Sequence, residues 1–188
     1  MKTRKRETRI TAVPAITGKC GWVFCLLGAL LLTMMSTPAK AQCTAQNTAF
    51  QSGEHVMYDL YFNWKFIWKK VGLASLTTFS TTYQSQPAYR FNLLSVGSKK
   101  TDFFFKMRDT LTCYVSEKLE PLYFRKAAEE GDRYTVDEAW FSYKDGVSNV
   151  KQRRIWHNPV RDPQEMEYSD SRCIFDMLSI LAQARSYD

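Results

Sequence analysis

Apolar and polar positions alternate in short runs through the middle of the chain. In HVMYDLYFNW, residues 55–64, the set Val56, Tyr58, Leu60, Phe62 and Trp64 falls on one side of an extended backbone, since successive strand side chains point to opposite faces. Val71–Phe79 repeats the pattern, with Gly72 and Ala74 leaving room for close packing on their face. Ala88–Val96, Leu111–Val115, Pro121–Ala128, Tyr134–Tyr143 and Val147–Trp156 read as further strands, and Cys113 is in phase with Leu111 and Val115. Lys144-Asp145-Gly146 supplies the clearest hairpin turn. Residues 157–168 carry two prolines and many charges and read as a loop.

The period changes after YSDS. Cys173, Ile174, Met177, Leu178, Leu181 and Ala184 recur at three- and four-residue spacings, which predicts an amphipathic helix of some fifteen residues, capped by Ser169 or Asp170. Seven strands and one helix predict a mainly β (α+β) fold: a curved antiparallel sheet or open half-barrel with an amphipathic helix packed on it near the C-terminus.

The N-terminal pattern is different again. Six basic residues between Lys2 and Lys19 precede the apolar run Trp22–Met35, and Ala39-Lys40-Ala41 offers a small-x-small cleavage site. This predicts a signal peptide over residues 1–41, followed by a flexible polar leader over 42–52 and a single domain over 53–188. The apolar run is too short for a comfortable membrane span. Lys40, Ala41 and Gln42 do not suit lipidation of Cys43. The expected location is therefore the periplasm or outer-membrane side of a Gram-negative-type envelope, with no transmembrane span after cleavage.

Cleavage changes the charge. The whole chain holds 26 Lys and Arg against 19 Asp and Glu; residues 1–41 hold seven and one of these, leaving 19 − 18 = +1. A balance so close to neutral excludes a nucleic-acid surface. Three cysteines remain, and an oxidising compartment permits one disulfide. Cys113 with Cys173 is the expected pair, the alternative being three unpaired thiols.

Several segments together resemble the bacterial exported family called domain of unknown function 3108. They are GEHVMYDLYFNW, VGLASL, RDTLTCYVSEKLEPLYFRK and DSRCIFDMLSILAQAR, with Gly53-Glu54, Tyr58, Gly72-x-Ala74-x-Leu76, Asp109, Leu119, Pro121, Asp176 and Leu178-Ser179 as carriers. The resemblance runs from about Gly53 to Asp188. It implies a mainly antiparallel β fold in the cell envelope and no established reaction. Members continue into further strands, so a C-terminally truncated member is expected.

Catalytic chemistry finds little footing. His55 and His157 lack neighbours at zinc-ligand spacing, and no G-x-S-x-G elbow is present; no metal, cofactor or catalytic set is expected. Asp109 and Asp137 are the candidates for a glycan-active enzyme with paired carboxylates. Aromatic surfaces are the stronger signal. FNWKFIWKKVG, residues 62–72, predicts a six-residue connection, Lys65–Lys70, whose Phe66, Ile67 or Trp68 either fold back over the sheet edge or stand out as an aromatic–lysine lip. Phe103, Phe104 and Phe105 require either a strand covered on both faces or a pocket. Trp64, Phe66, Trp68 and Phe103–Phe105 are thus the candidate ligand-binding residues. The leading expectation is non-enzymatic binding, between sheet and helix, of an amphipathic envelope component (lipid or glycan) or an envelope protein. A structural module pairing through its sheet edge is a third reading.

Overall fold

The computed structural model describes residues 43–187, with the side chain of Trp64 left aside; the expected signal peptide lies outside these residues. Eight strands form one sheet: β1 His55–Trp64, β2 Ile67–Tyr83, β3 Gln86–Gly97, β4 Met107–Ser116, β5 Pro121–Glu130, β6 Arg133–Lys144, β7 Val147–Asn158 and β8 Val160–Asp170. Every neighbouring pair is antiparallel and the spatial order is the chain order, so β1 and β8 are free edges and the sheet does not close into a barrel. A four-residue helix, α1 (Lys99–Asp102), joins β3 to β4, and α2 (Met177–Arg185) follows the sheet.

One face of the sheet carries the core. Leu76, Phe91, Cys113, Phe124 and Ala139 lie opposite one another or one step apart across β2–β6, and Leu178 and Ala182 of α2 pack among them. The alternation that predicts strands therefore also predicts this face. A nine-residue helix is shorter than the periodicity suggests, because the extended segment before it is used otherwise. Asp176, not Ser169 or Asp170, is the N-cap: its carboxylate accepts from the Leu178 and Ser179 amides, and the Ser179 hydroxyl accepts from the Asp176 amide. This reciprocal box satisfies donors that the helix cannot pair internally. Asp170 instead binds Arg172 through its backbone amide and guanidinium.

The leader is not a loose tail. Phe50 is a core residue, edge-on to Tyr89 and Phe91, and the Ala45 amide donates to the Lys118 carbonyl. The disulfide joins Cys43 to Cys173, while Cys113 is a buried free thiol. This corrects the expected Cys113–Cys173 pair. Cys113 points into the core from mid-strand and is fully shielded, whereas Cys43 and Cys173 both lie on irregular segments that meet beside α2. Gln183 reinforces the junction, donating to the carbonyls of Cys43 and Leu119 at 2.8 and 3.3 Å. Arg185 pairs with Glu54 at 2.6 Å.

The expected loop over 157–168 is in fact most of β8. Its side chains are exposed from Val160 to Ser169, so no apolar alternation marks it. Pro159 lies in the turn after a cis peptide bond, and Pro163 falls where the β7–β8 register shifts. An edge strand tolerates proline there because the missing amide has no ladder partner to lose.

The disulfide closes a loop of 130 residues' separation. Reduction, or Cys43→Ser, is expected to lower unfolding free energy by about 2–5 kcal/mol, measured by denaturant titration. The Cys113 thiol, raised far above its ordinary range by burial, should stay unreactive to alkylating agents until the protein unfolds.

Candidate functional site

In an up-and-down sheet the connections fall alternately at two ends. The β2–β3, β4–β5 and β6–β7 connections share one end and present Gln84, Ser85, Glu117, Lys118, Asp145 and Gly146, with Leu119 buried beneath. The β1–β2, β3–β4, β5–β6 and β7–β8 connections share the other end, and the large apolar residues gather there.

The β1–β2 connection is a two-residue turn, Lys65-Phe66, not the expected six-residue loop. Lys65 accepts a left-handed backbone, φ 58°, which closes the turn in register: Trp64 faces Ile67, Asn63 faces Trp68, and Phe62 faces Lys69. The lowest β2–β3 pair is Gly72 with Gly97. The two strands therefore continue beyond the sheet as an arm about 17 Å long, five residues at strand rise. A register shift between Leu60 and Tyr61 marks its base. Glycine at 72 is required there, since a Cβ would stand 2.3 Å from the Val96 carbonyl oxygen.

Nothing among the described residues covers the arm. Phe66 is 87% exposed, Trp68 69% and Ile67 60%, and Tyr61 and Phe62 are also open. The structure thus selects the lip and rejects the fold-back. Phe103 and Phe104 are each 85% exposed; they follow α1 in a turn and touch each other edge-on at 5.1 Å. They occupy neither a doubly covered strand nor a pocket, because the Ser98 cap and the Thr101 hydroxyl bond to the Val71 carbonyl draw this connection across the base of the arm. Phe105, 47% exposed, lies against Gly131, whose amide donates to the Lys106 carbonyl at 2.7 Å.

The candidate residues therefore lie at one end of the sheet, while α2 covers the part next to Leu119 and the Cys43 segment at the other. Phe66, Trp68, Phe103 and Phe104 do not line a space between sheet and helix. Sequence reasoning named Ile67 in the lip but read Phe62 only as a strand residue in phase with Val56 and Leu60, and missed Tyr61; the density of rings in residues 61–68 was the available signal. It also missed the row formed by Tyr83, Tyr114, Tyr123 and Trp140 on the face away from α2, where successive rings stand 4.9–6.2 Å apart and the Tyr123 hydroxyl donates to Glu138.

Asp109 and Asp137 both belong to the helix face. Asp137 is held by Arg154 through both carboxylate oxygens, and the pairing raises the guanidinium's pKa. It borders an open groove of about 410 Å³ lined by Lys126, Gln152, Arg154, Gln164, Met166 and Met177. Asp109 is absent from that lining. It lies two strands from Asp137, about 10 Å by strand spacing alone. One Asp109 oxygen is buried without a hydrogen-bond partner, and burial, then the Glu130 charge, push its pKa up, opposed by Lys126.

The family model described as a protein of unknown function (DUF3108) matches residues 57–188. No curated protein and no solved structure matches the chain.

Two predictions follow from this geometry. Gly72→Ala is expected to destabilise the sheet by at least about 1–3 kcal/mol, the scale of an overpacked site, read as a lowered denaturant midpoint. Asp109 holds its proton more tightly folded than unfolded, so its contribution is greatest at acid pH and is lost as pH rises through the raised folded value. Asp109→Asn should raise the thermal midpoint relative to the parent at pH 7, with the difference vanishing below about pH 3.5, where even an ordinary aspartate is protonated.

Proposed function

Since the chain belongs to the DUF3108 family of proteins of unknown function, which brings no reaction with it, we propose that it is a non-enzymatic cell-envelope protein that binds an amphipathic component of the envelope. The observation that carries this reading is the concentration of bare aromatic residues at one end of the sheet, on the β1–β2 arm and the α1–β4 turn. These rings are held outward, on a scaffold whose other end is polar. Isolated two-stranded hairpins are at best marginally stable in water, so an apolar arm of this kind gains from a partner that covers it. Export is supported by the signal-like residues 1–41 and by the Cys43–Cys173 disulfide, which suits an oxidising compartment.

The glycan-active alternative draws less support. Asp137 is engaged by Arg154 on both oxygens, and Asp109 lies outside the groove that Asp137 borders. A retaining or inverting pair needs two carboxyls facing one sugar.

Titration with a lysophospholipid below its micellar concentration, followed by tryptophan fluorescence, tests the reading. A saturable change is expected, lost in Phe66→Ser/Phe104→Ser at an unaltered thermal midpoint. No response, or an equal response in the variant, contradicts it.

A further inference from the structure

The rim's chemistry narrows the amphipathic component to one kind of surface. A soluble small ligand needs concavity, with side chains converging on it. Phe66, Trp68, Phe103 and Phe104 do not converge: they stand at the tips of two connections, and the main grooves among the described residues are lined by other side chains. Phe66 and Trp68 lie on the arm and Phe103 and Phe104 beside its base, so a flat surface reaches both groups when the arm lies along it.

The charges beside the bare rings have a sign. Lys70 is paired with Asp59, Lys106 with Glu129 and Arg108 with Asp102. Lys65, Lys69, Lys99 and Lys100 have no carboxylate partner among the described residues, and they flank the bare rings in sequence on both connections. Aromatic side chains with lysines beside them suit the boundary between headgroups and acyl chains, where rings bury their apolar area and ammonium groups reach phosphates.

We infer that this end docks on an anionic lipid bilayer, with Phe66, Ile67, Trp68, Phe103 and Phe104 entering the headgroup layer and Lys65, Lys69, Lys99 and Lys100 meeting lipid phosphates. The inference rests on the proposed amphipathic binding and names its surface. Depth is limited by the fold: β1 is an edge strand, and its outer backbone groups have no strand to pair with, which the hydrocarbon core would not tolerate. The arm therefore stops in the wet interfacial layer, with α2 and the disulfide held away from it.

Residues 43–187 supply strands β1 to β8, helices α1 and α2, the core described above and both disulfide cysteines, and residues 41–188 form a compact unit. The chain from Gln42 to Asp188, checked for its disulfide and thermal midpoint, is therefore used in vesicle flotation. It is expected to float with phosphatidylcholine–phosphatidylglycerol vesicles, not with phosphatidylcholine alone, and to be released by high salt. Lys99→Gln/Lys100→Gln should lower partitioning on the order of thirtyfold, from the attraction each lysine feels near an anionic surface. Phe66→Ser/Trp68→Ser should abolish it, and Lys118→Gln at the opposite end should leave it unchanged. Equal flotation with both vesicle types, or undiminished flotation of either rim variant, overturns the inference. A chain that takes up lysophospholipid but ignores vesicles overturns the bilayer surface and leaves the amphipathic reading standing; a chain that does neither removes both.

Discussion

The order of the strands is the constraint on which the rest depends. Because each strand pairs with the next, all four odd-numbered connections must lie at one end and the even-numbered ones at the other. The chain uses this sorting. Polar, short connections occupy the end beside Cys43 and Leu119, and the two connections richest in aromatic residues occupy the opposite end. Residues distant in sequence, such as Trp68 and Phe104, come to the same end with no contact between them needed to hold them there.

A single sheet with free edges has a second difficulty, which is covering its apolar face. Here a nine-residue helix and the segment 43–52 share the task. Neither is long enough alone, and the Cys43–Cys173 bond, the Gln183 hydrogen bonds and the Glu54–Arg185 pair fasten them together. Several carriers of the family resemblance belong to this fastening: Glu54 holds Arg185, Leu119 is wholly buried with φ 59°, and Asp176 and Ser179 form the cap. The cover is local to the middle strands and one end. The β1–β2 arm lies beyond it, and that is why its rings remain bare.

Much of this architecture is legible in the sequence, for particular reasons. Strands with one buried face alternate visibly, so β2 to β7 and the inward phase of Cys113 can be read directly; β1 alternates in sequence, yet only Val56 and Leu60 are even half-buried and Tyr58 and Phe62 of the same set are exposed. β8 cannot, because both its faces are exposed and it has no apolar period to show. The helix is readable but its start is not: Cys173 and Ile174 fit the helical spacing while belonging to an extended segment that the disulfide anchors. The leader's polarity hides Phe50, a single core residue among small polar ones. At the rim, composition gives the right residues and the wrong local geometry. A two-residue turn with Lys65 at positive φ looks like a longer loop, since the strand pairing of Ile67–Val71 has no neighbouring third strand to imprint a pattern.

Amide hydrogen exchange with anionic vesicles present and absent tests the central claim most directly, because it locates the contact rather than merely detecting it. Without vesicles, amides of 61–70 should exchange faster than those of 73–78, which are flanked by strands on both sides. With vesicles, protection should rise in 61–71 and 99–106 and nowhere else. Protection rising instead around α2, along β8, or uniformly across the sheet would contradict the account.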